Sequence, residues 1–203
     1  MLLAGGAAER FGGLPKGLAV VDDVRIADRV LAALRGATDR QLVVSNDPDA
    51  GRWFPELPVA ADAVPGCGPL AGIETALRAA EGAAVLVVAW DMPFVTTPLL
   101  RGMRALGETG APAVLPAHGD PVVLEALCAY YAPDALAVCS RLLAAGERRA
   151  HALFGALPAA MLIPERALLE HGDPERLFLS VDRPEQLGAL AGTMPRLGHA
   201  PVR

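Results

Sequence analysis

The stretch Ala84-Val-Leu-Val-Val-Ala-Trp90 carries no charge and is followed at once by an acidic residue, in Asp91-Met-Pro-Phe94. These residues decide the fold. The run is apolar on both faces, which is typical of a central strand covered by helices on both sides. A carboxylate at the carboxyl end of such a strand points into the crevice where open α/β sheets bind ligands. Asp91 is therefore a candidate oxygen ligand for Mg²⁺, with a helix N-cap as the alternative.

Short apolar runs alternate with longer segments rich in Ala, Leu and Arg on either side of this strand. The alternation predicts βα units and an α/β fold with a mostly parallel sheet. We predict strands at 1–4, 41–45, 59–61, 84–90, 113–116 and 161–164, and helices at 25–35, 72–80, 98–106, 133–144 and 148–157. One domain is expected over residues 1–190, followed by a poorly ordered tail over 191–203.

Composition and charge exclude several classes of protein. The chain has 203 residues, of which 53% are hydrophobic, so one domain can bury a substantial core. Its net charge of −5 argues against nucleic-acid and membrane-surface partners. Three cysteines without Cys-x-x-Cys spacing predict buried, reduced thiols in a cytoplasmic protein. We find neither a signal peptide nor an apolar stretch long enough to span a membrane, and a monomer is favoured over an oligomer.

A glycine-rich loop follows the first predicted strand and contains the single lysine of the chain, Lys16; the other 17 of the 18 basic residues are arginines. Glycines let backbone N–H groups approach an anion, and Lys16 and Arg10 can neutralise it. The loop is not a Walker A motif, because Gly17 follows the lysine where Ser or Thr is required, and it lacks the dinucleotide-binding glycine spacing. A flexible surface turn is the alternative.

A second turn-rich loop, Asp62-Ala-Val-Pro-Gly-Cys-Gly-Pro-Leu-Ala-Gly72, enters a predicted helix near Gly72. It can present backbone N–H groups and the Asp62 carboxylate to a base or a sugar, or it can be a plain crossover. Four histidines lack metal-ligand spacing and are expected to be solvated or to cap helices: His118, His151, His171 and His199.

These segments together resemble the molybdenum cofactor guanylyltransferases, the MobA-like family of the nucleotidyltransferase superfamily. The motifs are Leu3-Ala-Gly-Gly6 with Lys16, Gly68-Pro-Leu-Ala-Gly72 and Asp91-Met-Pro-Phe94, and the resemblance continues to about residue 190. It implies a three-layer α/β/α Rossmann-like fold. It also implies transfer of GMP from GTP to the terminal phosphate of molybdopterin, with Mg²⁺ as cofactor and release of pyrophosphate.

The resemblance assigns roles to individual residues of this chain. Lys16 would bind the triphosphate with the help of Arg10, and Asp91 would hold Mg²⁺. Ser180 stands where relatives carry an Asn that helps to hold the metal, so Asp182 is the candidate second ligand. The residues expected at the nucleoside are Leu3, Ala4, Gly5, Gly6, Ser45, Asn46, Asp62 and Gly68. Arg148 and Arg149 are candidates for the pterin phosphate, or form a solvated helix face.

Other functions remain open at this stage. A cytidylyltransferase or a sugar-nucleotide synthase would share the fold, and the sequence does not fix the choice of base. A non-catalytic nucleotide-binding relative is a further alternative, because Glu9, Pro15 and Ser180 depart from the family pattern. An NAD-dependent oxidoreductase is disfavoured by the glycine spacing.

Overall fold

A computed structural model describes residues 1–5 and 15–194. The strands are β1 (Leu2–Leu3), β2 (Val20–Val21), β3 (Val24–Arg25), β4 (Val43–Val44), β5 (Val59–Ala60), β6 (Val85–Ala89), β7 (Ala113–His118), β8 (Val123–Leu124), β9 (Cys128–Tyr131) and β10 (Met161–Pro164). The helices are α1 (Ile26–Ala37), α2 (Ala50–Trp53), α3 (Gly68–Ala79), α4 (Thr97–Gly107), α5 (Ala135–Ala144), α6 (His151–Gly155), α7 (Glu165–Leu168), α8 (Pro174–Leu177) and α9 (Glu185–Leu190).

The central sheet has the strand order β10-β7-β9-β6-β1-β4-β5, with β8 paired to β7. Strands β6, β1, β4 and β5 are parallel, and so are β10 and β7. Strand β9 lies antiparallel between β6 and β7. The sheet is therefore mostly parallel, as the sequence predicts. The carboxyl ends of β1, β4 and β6 meet at one edge, with Leu3 in register with both Val44 and Ala89.

Two helix pairs cover the sheet: α1 packs against α4, and α3 packs against α5. Every residue of β6 is buried, as expected for a strand covered on both faces. A smaller apolar cluster lies beside the main core and joins the β2–β3 hairpin to the chain after β6 and to the C-terminal segment. Its buried members are Val21, Ile26, Phe94, Val181, Leu190 and Met194.

The six predicted strands and five predicted helices are all present, and their ends differ by a few residues. The largest difference is in α3, which begins at Gly68 rather than at residue 72. Glycine and proline favour turns by composition, but a proline also fits the first turn of a helix, where its missing N–H has no intrahelical acceptor. Helix α6 begins at His151 rather than at 148, because Arg148 and Arg149 belong to the preceding turn.

Strands β8 and β9 and the β2–β3 hairpin were not predicted. The four residues of β9 are wholly buried, and so short an apolar segment carries too little periodicity to identify a strand. In the segment expected to be a tail, the Gly192 N–H donates to the Asp22 carboxylate at 2.9 Å, and Met194 is buried. Residues 195–203 lie outside the described residues.

Two further expectations from the sequence concern thiols and membranes. Cys128 and Cys139 are buried free thiols as predicted, whereas Cys67 is partly exposed. Among the described residues, no helix has the length and apolar character needed to cross a bilayer.

Candidate active site

A cleft of about 690 Å³ opens where the carboxyl ends of β1, β4 and β6 meet. This is the edge of the sheet at which α/β folds bind ligands. The cleft brings together most of the residues singled out in the sequence: Leu3, Ala4, Gly5, Lys16, Ser45, Asn46, Asp62, Gly68 and Asp91. Gly6 and Arg10 lie outside the described residues.

Asp91 lies two residues beyond the end of β6, and its side chain is only 8% exposed. The Ser180 hydroxyl donates to Asp91 Oδ2 at 2.7 Å, and the Val181 N–H donates to the Asp91 carbonyl oxygen at 3.0 Å. Because Val181 is anchored in the smaller apolar cluster, its neighbours Ser180 and Asp182 are held beside Asp91. Asp91 is not a helix N-cap, since Thr96 caps α4.

Lys16 opens a short 3-10 turn, and its ammonium group lies between two carboxylates. It forms ion pairs with Asp91 Oδ2 and, at 2.9 Å, with Asp182 Oδ1. Burial by itself lowers the pKa of Lys16, but the two carboxylates outweigh it and raise the pKa above its usual value. The lysine is therefore a cation throughout the physiological pH range.

An aromatic wall supports the lysine turn. The indole of Trp90 lies against Gly17 on one side and stacks with Trp53, with ring centroids 5.9 Å apart. Both tryptophans line the cleft. Trp90 is 3% exposed, and within the described part of the chain its indole N–H has no hydrogen-bond partner. The ring thus forms a rigid surface between the lysine turn and α2.

The loop before α3 is held by a network around Asp62. The Asn46 amide donates to Asp62 Oδ2, and the Asp62 N–H donates to Asn46 Oδ1, both at 2.8 Å. The Thr75 hydroxyl donates to Asp62 Oδ1, also at 2.8 Å. These hydrogen bonds fix the Asp62 carboxylate at the rim of the cleft. Its orientation is set by Asn46, which follows β4, and by Thr75 of α3.

The N-terminus of α3 opens onto the cleft, where Gly68, Pro69 and Gly72 line the wall. The Cys67 side chain does not cap the first turn, Pro69 has no N–H, and the Leu70 N–H donates to the Arg148 carbonyl oxygen at 3.2 Å. What this helix end offers to an anion is therefore mainly its partial positive charge. Gly68 has φ +72°, and a Cβ at this position would lie 2.8 Å from the Arg148 carbonyl oxygen. Both the backbone conformation and the close approach therefore require glycine.

Arg148 and Arg149 do not line the cleft. The Arg149 guanidinium forms an ion pair with Glu147 at 2.7 Å, and hydrogen bonds from Arg149 and from the backbone hold the pKa of Glu147 well below its usual range. The Arg148 guanidinium donates to the carbonyl oxygens of Leu143 and Glu147. Both arginines contribute to the turn between α5 and α6, rather than to a helix face.

Several contacts were not predicted from the sequence. They depend on packing between distant segments: the stack of Trp53 on Trp90, and the hydrogen bonds from Thr75 to Asp62 and from Ser180 to Asp91. The expectation for His118 was wrong: its Nε2 lies 2.9 Å from Glu125 Oε1, and its ring stacks on Phe178. The sequence carries no alternation that marks His118, because the five residues of β7 before it are all apolar and buried.

Comparisons with known proteins show which proteins this chain resembles. The model of the "MobA-like NTP transferase domain" family matches residues 1–161. A probable molybdenum cofactor guanylyltransferase from Chloroflexus aggregans is 33% identical over 92% of this chain and 90% of its own length. A molybdenum cofactor guanylyltransferase from Syntrophotalea carbinolica is 32% identical over 99% and 94%. The crystal structure of molybdopterin-guanine dinucleotide biosynthesis protein A from Archaeoglobus fulgidus superimposes with a TM-score of 0.77 at 25% identity, covering 93% and 94% of the two chains.

Proposed function

Since the chain belongs to the MobA-like NTP transferase family, we propose that it transfers GMP from GTP to the terminal phosphate of molybdopterin and releases pyrophosphate. The family membership confirms the resemblance seen in the sequence. The substrates are supported by the names of the two relatives and of the Archaeoglobus protein. The observation that carries the proposal is that Lys16 and Asp91 line a cleft at the carboxyl ends of β1 and β6, and that Lys16 pairs with both Asp91 and Asp182.

The cleft offers distinct surfaces to the parts of a nucleoside triphosphate. In this proposal, backbone groups of Leu3, Ala4 and Gly5 contact the guanine. Asn46 and Asp62, held by their mutual hydrogen bonds, lie at the nucleoside. The N-terminus of α3 provides a partial positive charge, which favours a phosphate.

The reaction needs no general base. The second pKa of a phosphate monoester is about 6, so the terminal phosphate of molybdopterin is already anionic at neutral pH. One of its oxygens forms a bond to the α-phosphorus of GTP as the bond to the bridging oxygen breaks, and pyrophosphate leaves with the electron pair. The task of the protein is to position these groups and to neutralise charge. Lys16 supplies a compact ammonium on a flexible stem that can follow the leaving phosphates.

The residues around Asp91 fit a magnesium ion. Mg²⁺ is usually held by one or two carboxylates, with phosphate oxygens and water completing its coordination. Asp91 and Asp182 already converge on one cation, the Lys16 ammonium, which shows that their oxygens face a common point. Asp91 and Asp182 would hold the metal, with Ser180 orienting Asp91. Bound there, Mg²⁺ would neutralise charge on the phosphates.

The free thiols support a cytoplasmic location for the enzyme.

The test is pyrophosphate release by the purified chain, with molybdopterin and each of the four nucleoside triphosphates in turn. We expect release with GTP and Mg²⁺, and none when EDTA removes the metal. Faster release with CTP would replace the guanylyl assignment by a cytidylyl one. Stabilisation of the fold by GTP without release of pyrophosphate would instead identify a nucleotide-binding protein without activity.

A further inference from the structure

The Lys16 ammonium occupies the position between the two proposed metal ligands. It contacts Asp91 Oδ2 and Asp182 Oδ1, and Asp91 Oδ2 also accepts the Ser180 hydroxyl hydrogen bond. Mg²⁺ requires oxygen ligands at about 2.0–2.1 Å in a nearly octahedral arrangement. A metal ion bound to these oxygens would displace the ammonium from them, because both cations need the same lone pairs and repel each other.

The local charges favour the lysine as long as the cleft contains no other anion. Two carboxylates and one ammonium leave a net charge of −1, and the Lys16 side chain is only 20% exposed. A free metal ion would have to push this cation away from its partners inside the cleft, where no triphosphate is present to receive it. Separating a partly buried cation from its partners is costly.

A bound triphosphate changes this balance. It gives the ammonium a second, more highly charged anion, and the four-carbon stem of lysine allows the group to move to it. Departure of Lys16 leaves the two carboxylates with a charge of −2, which suits a divalent ion. The nucleotide and the metal therefore favour each other's binding through one side chain, and such coupling is reciprocal.

We propose that Lys16 is an internal counter-ion that excludes free divalent metal from Asp91 and Asp182, so that the site accepts the metal only together with the nucleotide. This role rests on the proposed function, in which a nucleoside triphosphate is the ligand. It makes Lys16 a determinant of metal binding as well as a phosphate-binding group.

Binding of Mn²⁺ without nucleotide tests the first half of the proposal, with the free ion measured by its EPR signal. Lys16→Met removes the charge and keeps the apolar stem, and we expect it to bind Mn²⁺ about tenfold or more tightly than the wild type, within the usual range of coupling. The matched control is Arg183→Met, which removes an exposed cation next to Asp182 and should leave the affinity unchanged. Equal affinities of Lys16→Met and wild type would overturn the proposal.

NMR of the unaltered protein tests the second half, and does not depend on how a variant folds. Since Lys16 is the single lysine, protein labelled with ¹³Cε-lysine gives one signal. Mg²⁺ alone at millimolar concentration should leave it in place, and GTP with Mg²⁺ should shift it. A saturable shift with Mg²⁺ alone would refute the exclusion of free metal.

A thermal-shift titration with GTP distinguishes a failure of the proposed function from a failure of the counter-ion role of Lys16. Absence of stabilisation by GTP would refute both the proposed function and the role of Lys16 as a counter-ion. Stabilisation by GTP together with unchanged Mn²⁺ affinity in Lys16→Met would refute the counter-ion role alone.

Discussion

Gly17 lies directly against the indole of Trp90, so closely that a Cβ at position 17 would overlap the ring atoms. Gly17 is buried and follows the lysine that joins the two carboxylates, while Trp90 precedes one of those carboxylates in the chain. The contact therefore sets the distance between the lysine turn and the end of β6.

Gly17→Ala should destabilise the protein and weaken nucleotide binding, because the turn must move away from Trp90. Overpacking of this kind costs about 1–3 kcal/mol. For a domain of this size, each kcal/mol lowers Tm by about 2–4 °C. Thermal unfolding and the KM for GTP are the measurements. Gly51→Ala is the control: a Cβ there meets nothing within 4 Å, so the variant should unfold at or above the wild-type temperature. If both variants behave alike, Trp90 does not support the turn.

Lys16→Ala should lower kcat for pyrophosphate release by about 10²–10³-fold, the usual effect of removing one group that stabilises transition-state charge. Lys16→Arg should restore only a small part, because the planar guanidinium imposes a fixed geometry. Arg52→Ala, which removes an 84% exposed cation on α2, should retain full activity. Circular dichroism should show that all three variants fold. Near-normal turnover in Lys16→Ala would refute its assignment to the phosphates.

Thr75→Val should raise the KM for GTP more than it lowers kcat. The substitution keeps the shape of the side chain but removes the hydroxyl that donates to Asp62 at 2.8 Å. A hydrogen bond to a charged group contributes about 1.5–3 kcal/mol to stability, so Tm should fall as well. Thr75→Ser, which retains the donor, is the matched control and should stay close to wild type in KM. An unchanged KM in Thr75→Val would show that the Asp62 orientation does not matter for nucleotide binding.

The contact between α3 and α5 should make stability depend on pH in the acidic range. Burial raises the pKa of Glu74, but hydrogen bonds from Ser140 at 2.5 Å and from Arg78 outweigh it, and the pKa is lowered from its usual 4.5. Glu74 therefore stabilises the folded state above pH 4.5, and this contribution is lost as the pH falls through the lowered pKa.

Ser140→Ala should consequently lower Tm at pH 7, and the difference from wild type should shrink as the pH falls below 4.5. In a Glu74→Gln background, the effect of Ser140→Ala should no longer vary with pH. If Ser140→Ala lowers Tm by the same amount at every pH in the protein that retains Glu74, this carboxylate does not have the proposed role. Thermal melts across the pH range provide the measurement.

The sequence predicted the residues of the cleft better than the contacts among them. The long apolar run of β6 placed Asp91 at the carboxyl edge of the sheet, where the structure has it. Periodicity is a local signal, however, and it did not reveal β9, which inserts between β6 and β7. Nor could it show that Ser180 contacts Asp91, since that contact depends on the anchoring of Val181 in a cluster formed by distant segments.

The stacking of the two tryptophans could not be predicted from local sequence patterns either. Trp90 and Trp53 were apolar residues of two separate segments in the sequence, and only the parallel arrangement of β6, β1 and β4 brings them into a stack. The start of α3 was missed for a different reason: glycine and proline favour turns by composition, yet at Gly68 and Pro69 they begin a helix.

The separation of the two carboxylates along the chain has a consequence for how the protein is made. Asp182 lies 91 positions after Asp91. At about 5–20 residues per second, a ribosome needs roughly 5–18 seconds to synthesise the intervening segment. During that time the emerging chain has its lysine and one carboxylate but lacks the second. The cation-binding end of the cleft is thus assembled last, after the strands that surround it have been synthesised.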